Sequence, residues 1–501
     1  MKILFLLKVF FFQFFLVTLH VIMKKALIWI GLILLSPILL FIILTFLLYL
    51  PPVQDWAVSK VTEIASEATG MQISVDRLRL AFPLDLSIEG VKVQEKTDTI
   101  ADIRQVVAEV QLLPLLQKKV VVDQLELNQA KVNTLDMISD LQVCGSIGQL
   151  SVSSRCIDLG EGQVEVNGAL LADADITILL SDTAAVDTTT SEPIPWLINV
   201  DSVSILRSRV ELHMPGDSMR VVAGIGEAHA ANGTVDLLHS LYTVKSFSLT
   251  NGSTHYDLPF EQPVGKGIDF NHIAVSELRL AVDSIYFCAP NLALKIQEAA
   301  LHEQSGLELT QLTGTFLMDS TGLKLPRMLL TTPYSNIRAQ AHLDFNFLDS
   351  IQPGQMDVDL EAAIGKHDLM LFMADMPERF CTRWPEWPLS IKGQVNGNME
   401  QAYVQELELT LPTAFHAKAH GSASSLNNLD NLLAQLTLEA ETYNLDFVKA
   451  LADPKAMQDI NLPNGMRLNG ILQADGHRYT ANLSAHEGKG FVKAKGWFAD
   501  E

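Results

Sequence analysis

Basic charge is scarce in this chain. Its 501 residues carry 36 Lys and Arg against 58 Asp and Glu, and residues 1–50 hold four lysines and no acid, which leaves 32 basic against 58 acidic residues and a net −26 beyond residue 50. A surface of that sign repels nucleic acid and anionic bilayers, so it excludes a basic nucleic-acid binder and confines membrane contact to a dedicated segment. Cysteine is scarce too: four residues at 144, 156, 288 and 381 with no C-x-x-C spacing exclude a disulfide framework and a thiolate metal site. Cys144 and Cys156 remain open as a cross-strand pair or as ordinary half-buried residues. Catalytic signatures are missing as well. There is no H-E-x-x-H, G-x-S-x-G or P-loop, and Gly224/Gly226 and Gly265/Gly267 lack a third glycine. His416 and His420 share one side of a period-two segment, where solvent-facing strand residues are the simpler reading than a metal pair. The chain is therefore expected to be no enzyme, with no cofactor and no metal. Trp384 and Trp387, in RWPEWP, read first as a proline-bounded anchor at a helix-to-strand turn, with a sugar platform as the alternative.

Apolar sequence, by contrast, is abundant, at 48%. The run from Ala26 to Leu50 has no charge and is long enough to span a hydrocarbon core of about 30 Å. Pro37 is tolerated in such a helix, Trp29 and Tyr49 sit near its ends, and Lys24 and Lys25 mark the cytoplasmic side. Residues 1–22 are read as an apolar leader or a mis-assigned start, with 23–50 as an uncleaved anchor. Val53, Trp56, Ala57, Val61, Ile64, Ala65 and Ala68 then recur at helical steps before Gly70, which predicts a juxtamembrane amphipathic helix over 51–70.

From Arg77 the period becomes two. Leu78, Leu80, Phe82, Leu84, Leu86 and Ile88 alternate with polar residues, as do Ile337 to Phe347 and Leu432 to Ala440, so most of the chain is expected to be strand with one apolar face. The stretch from Asp123 matches the stretch from Asp201 at an offset of 78, and DSIYF from Asp283 restarts the pattern. Blocks at Ser335, Thr413 and Gly488 repeat at 78 and 75 residues, with short helix-like runs near 368–374 and 445–452. Repeats of this kind stack into a quasi-one-dimensional array. At roughly 12 residues per strand and turn, the ~430 residues after Met71 give about 35 strands and a length near 170 Å. The polar stretch 181–195 reads as a loop. The last repeated block stops just short of Glu501, as in a fragment of a longer protein.

The predicted fold is mainly β: a transmembrane helix, then an elongated, repetitive, curled antiparallel sheet with a few short helices. The segments are 71–122, repeats at 123–200 and 201–282, and further repeats over 283–501. The apolar face is either filled by its own side chains or open to acyl chains, each buried CH₂ of which gains about 0.8 kcal/mol. The lining candidates are Leu78, Leu80, Phe82, Leu84, Leu86, Ile88, Leu278, Leu280, Val282, Ile337, Leu343, Phe345, Phe347, Leu407, Leu409, Leu436 and Leu438.

The anchor, the helix with Trp56-Ala57, GMQISVDRLRLAFPLDLSIEGVKV at 70–93 and LLPLLQKKVVVDQLELNQAKV at 112–132 together resemble the opening of the AsmA-like superfamily, in particular its TamB-like members. The resemblance covers about 80 residues and carries over no catalytic residue. It implies a periplasmic U-shaped β-groove fixed to the inner membrane of a Bacteroidota-type bacterium, with residues after about 51 in the periplasm. It also implies phospholipid as cargo and an outer-membrane assembly-barrel partner of the TamA/BamA type, although the C-terminal domain that meets such a partner is not recognisable. The alternatives are an assembly scaffold or chaperone that holds unfolded strands by β-augmentation, and an envelope tether with a filled core. Asp-Ser and Asp-Thr pairs at Asp98, Asp182, Asp187, Asp201, Asp217, Asp283, Asp319 and Asp349 resemble an O-glycosylation signal of Bacteroidota envelope proteins, or are simple turn pairs.

Overall fold

The structure is a computed structural model that describes residues 50–499, apart from 82–84, 97, 112–118, 121, 135–140, 159–161, 181–195, 215–218, 348–351, 427, 452–464 and 489. Trp29, Pro37 and Tyr49, and with them the expected anchor, lie outside the described residues. No described helix is long and apolar enough to cross a membrane. The chain divides into two units, one up to Val110 and one from Gln111.

The first unit opens with α1 (Pro51–Thr69), which starts on two prolines that need no N–H partner. It ends at Gly70 in the left-handed region (φ 71°), whose N–H donates to the Ser66 carbonyl. The Ser66 hydroxyl accepts the Ile73 N–H and ties the helix to an antiparallel meander of β1 (Gln72–Ala81), β2 (Asp85–Glu95) and β3 (Asp98–Val110). The alternation from Leu78 to Ile88 is thus two strands, not one. The chain reverses between β1 and β2, pairing Leu78 with Ile88 and Leu80 with Leu86.

The second unit is one open sheet. Its strands are β4 (Lys119–Val120), β5 (Val122–Asn133), β6 (Leu141–Asp158), β7 (Gln163–Leu180), β8 (Leu197–Met214), β9 (Met219–Asp236), β10 (Leu241–Asp257), β11 (His272–Cys288), β12 (Asn291–Glu303) and β13 (Glu308–Met318). They continue as β14 (Gly322–Thr331), β15 (Asn336–Asp344), β16 (Met356–Ile364), β17 (Leu389–Gly397), β18 (Gln401–Leu411), β19 (Phe415–Ser424), β20 (Leu433–Thr442), β21 (Arg467–Asp475), β22 (Arg478–Glu487) and β23 (Gly490–Ala499). From β5 onward each strand pairs with the next. The described residues hold 23 strands in all, fewer than the roughly 35 expected from 12 residues each, because β6 to β9 run to 18 residues apiece.

Strand parity explains the repeats. β6 and β9 span positions 78 apart, as do the starts of β7 and β10. A unit of three antiparallel strands ends running the way it began, so a second copy in the same orientation must join it in parallel. β7 and β8 form that parallel ladder, and every other described ladder is antiparallel. β11 then pairs antiparallel with β10, so the restart expected at Asp283 is no third copy in the same orientation. The later blocks fall on β15, β19 and β23, an even four strands apart, and need no parallel joint. Cys144 and Cys156 both lie on β6, twelve positions and about 40 Å apart along it, so they cannot pair; all four cysteines are free thiols.

A crease crosses the long strands. Gln129 (φ 54°), Asp173 (φ 53°), Arg207 (φ 44°), Asn251 (φ 52°) and Glu277 (φ 52°) interrupt β5, β7, β8, β10 and β11 at one level, and Gly148 and Gly226 continue it on β6 and β9. Such irregularities bend strands and increase their twist. The copies match in detail: a Cβ on Gly148 would lie 2.7 Å from the Asp173 Cβ, and one on Gly226 2.7 Å from the Asn251 Cβ. Gly226→Val should therefore cost about 1–3 kcal/mol in urea unfolding, while Gly496→Val, with nothing near it, should be close to neutral.

Candidate functional site: a continuous apolar face

One row of direct cross-strand partners runs through the second unit without a polar residue. From Leu127 it passes Leu150, Leu171, Ile205, Ala228, Leu249, Leu280, Ala299, Leu312, Leu330, Ile337, Ala362, Ile391, Leu409, Ala417, Ala440, Leu468, Ala485 and Val492. One aliphatic residue from each of nineteen successive strands makes a contour of about 86 Å, at roughly 4.8 Å per strand. From β15 onward a second row flanks it: Ala339, Leu360, Gly393, Leu407, Ala419, Leu438, Gly470, Leu483 and Ala494. Among the described residues no second sheet packs on this face, because extensive strand contacts join ladder neighbours only.

The opposite face is charged. Arg338–Glu361 (3.5 Å), Lys392–Glu406 (3.5 Å), Lys418–Glu408 (3.4 Å) and Arg467–Glu441 (3.1 Å) bridge neighbouring strands there. These pairs are exposed and contribute little to stability, but they keep that face in water. The larger concavity, about 810 Å³, lies over this polar side between β12 and β16, whereas an apolar hollow of about 420 Å³ lies over β20–β23, lined by Leu436, Leu472, Tyr479 and Trp497 among others. A twisted sheet is concave on both faces along opposite diagonals.

Ion pairs also staple the parallel joint: Asp173 accepts two bonds from Arg207 (2.7 and 2.8 Å), Asp175 pairs with Arg209 (3.0 Å), and Arg155 pairs with Asp201. Beside it Glu211, 7% exposed, accepts from Arg220 Nε (2.7 Å), His213 and Arg209, and the Arg220 hydrogen bond above all holds its carboxyl down at about 2. A depressed folded-state pKa gives stability that is full above the ordinary 4.5 and is lost as pH falls toward 2. The melting-temperature gap between the parent chain and Glu211→Gln should accordingly be widest above pH 4.5 and narrow toward pH 2.

One rim of the apolar face is closed by helices. α2 (Lys366–Phe372) and α3 (Glu378–Arg383) lie between β16 and β17, and α4 (Asp446–Lys449) lies between β20 and β21. They bury Phe380, Trp384 and Phe447, with ring centroids 5.0–5.8 Å apart, against Leu411 and Ala414. Leu411 and Phe415 lie two residues from Leu409 and Ala417, so this hub sits on the apolar side. Buried Asp368 accepts the Thr332 and Ser335 hydroxyls, pinning α2 to the β14–β15 turn. The Trp384 ring is buried in the hub and Trp387 is exposed, which places the RWPEWP pair at the helix-to-strand turn.

A strap at 258–271, between β10 and β11, reaches the same hub. Buried Asp269 organises it, accepting the N–H groups of Val264 (2.7 Å) and Asn271 (3.0 Å) and contacting His272 Nδ1 (3.0 Å); the Val264 N–H is the main reason its carboxyl is held below the usual range. The Ile268 N–H donates to the Leu371 carbonyl (3.1 Å), and Gly267, at φ 76°, leaves no room for a Cβ beside Ala374.

No family model matches the chain, and no curated protein matches it.

The structure places Leu280, Ile337 and Leu409 in the long row, with Leu407 and Leu438 in the flanking one. Leu278, Val282, Leu343 and Leu436 pair with Gly252, Phe247, Met356 and Gly421 beside them. Leu78, Leu86 and Ile88 belong to the first unit's meander. Phe345 and Phe347 do not extend the strand: β15 ends at Asp344, whose carboxylate accepts the Gln355 N–H, and the chain turns, leaving Phe345 54% exposed. Phe82 and Leu84 lie outside the described residues, as do the side chains of Leu80, Val61 and Ile64. Trp56 is exposed on α1. Among the described residues no His, Cys, Asp and Glu group is arranged to hold a metal. Of the Asp-Ser and Asp-Thr pairs, Asp319 caps its turn by accepting from Thr321 and Gly322, while Asp201 and Asp283 are ion-paired on strands. The row members in β5–β10 were missed by alternation because the crease resets the parity midway, and alanines such as Ala228, Ala299 and Ala362 carry little hydropathic signal.

Proposed function

We propose that this chain is a lipid-transfer protein of the cell envelope, anchored in the inner membrane by residues 23–50, whose apolar face forms a groove that carries phospholipid acyl chains toward the outer membrane. The unbroken aliphatic row carries this reading. A polar break would impose a desolvation cost of several kcal/mol on a moving acyl chain, and an uninterrupted row imposes none. Each methylene laid on the row recovers about 0.8 kcal/mol, little of it lost from one strand to the next, so the bound chain slides. The resemblance to the AsmA-like superfamily gives the same cargo, and assigns an assembly-barrel protein of the outer membrane as the receiving partner. Native mass spectrometry of the purified chain tests the reading: bound phospholipid supports it, and a lipid-free protein that takes up none from vesicles removes it.

A further inference from the structure

The end of β12 holds a carboxylate that the transport reading does not use. Glu303, at the end of β12, is 8% exposed. One of its oxygens accepts the Ser305 N–H (2.7 Å); the other, Oε1, is buried with no hydrogen-bond partner among the described residues. The Ser305 hydroxyl, in the same turn, is also buried and unpartnered. Two orphaned polar atoms in one turn are costly, and native proteins keep such groups where a water or a ligand completes them. Their side of the sheet follows from the ladder. Leu301 pairs with Leu309, whereas His302 pairs with Glu308 and makes its ion pairs on the charged face, so Glu303 projects with Leu301 toward the apolar side.

Nearby Asp257, Glu277 and Glu308 contact His272 and His302 on the opposite face, so the charge on the apolar side is that of the Glu303 carboxylate itself. The missing group is therefore a donor and a cation, adjoining an aliphatic surface.

We propose that Glu303 Oε1 and Ser305 Oγ form a headgroup site for an amphiphile with a primary ammonium, whose acyl chain lies along Leu301, Leu309 and Leu312. The inference rests on the transport reading and names the lipid class that reading leaves open. A primary ammonium offers three N–H donors, enough for both orphaned atoms. A trimethylammonium has the charge but no donor, and a phosphoglycerol head brings a net negative charge up to a buried carboxylate.

The full chain, reconstituted in vesicles of equal parts dioleoyl phosphatidylethanolamine, phosphatidylglycerol and phosphatidylcholine, tests this with a photo-crosslinking residue at Leu309 or, as reference, at Leu409. Adducts at Leu309 are expected to favour ethanolamine lipid over choline lipid on the order of tenfold, the size of one charge-assisted hydrogen bond, with no such bias at Leu409. Glu303→Gln, and independently Ser305→Ala, should bring the Leu309 ratio down toward the reference while total lipid adduct is kept. Free ethanolamine that abolishes the bias would show that the head alone is recognised; if it leaves the bias intact, the whole lipid is the ligand. Equal ratios at both positions in the parent chain would overturn the proposal and leave a buried water as the occupant. Absence of any lipid adduct at either position would instead overturn the transport reading.

Discussion

Ile337→Asp and Leu409→Glu are expected to abolish lipid carriage while leaving the protein folded. Both positions lie in the long row, and half-buried side chains on a face that no second sheet covers tolerate a charge when no lipid is present, because water reaches it. An acyl chain crossing the same point must strip that water away, at several kcal/mol, so phospholipid bound to the purified chain should fall on the order of tenfold or more. Gln340→Glu adds the same charge on the opposite face, between His342 and Arg338, and should leave lipid content at the parent level. Circular dichroism and melting temperature report whether the fold is retained. Full lipid content in a folded Leu409→Glu protein would show that cargo does not use the row.

Leu411→Ala should be the most destabilising single truncation in the second unit. Its side chain is fully buried beneath Phe380, Trp384 and Phe447, and removing it leaves a cavity between a rigid sheet and short helices that cannot close in. The expected cost is about 2–5 kcal/mol by urea unfolding. Tyr403→Ala, on the same strand but 48% exposed, should cost well under half as much. A small effect at Leu411 would mean that the hub is not what holds this rim.

The strand class and the apolar face were legible because alternation is local: Ile337, Ala339, Ala341 and Leu343 announce a half-buried strand with no knowledge of their neighbours. The offset of 78 was legible too, yet it conceals two architectures. Three long strands with a parallel joint and four short strands with a helical excursion occupy nearly the same length of chain, and only pairing separates them. The β1–β2 reversal and the Asp344 turn were misread for the opposite reason, since hydropathy continues through both reversals, which only strand pairing and the side-chain capping by Asp344 report. The hub, the strap and Glu303 depend on contacts between segments distant in sequence, 103 residues apart for Ile268 and Leu371, and no pattern within a window reports those.

The most direct test of the central claim is photo-crosslinking in living cells, with the reactive residue at Leu409 in the row or at Glu408 on the charged face. Phospholipid adducts at Leu409 and none at Glu408 are the predicted result. Adducts at neither position, or equally at both, would contradict a lipid-carrying apolar face.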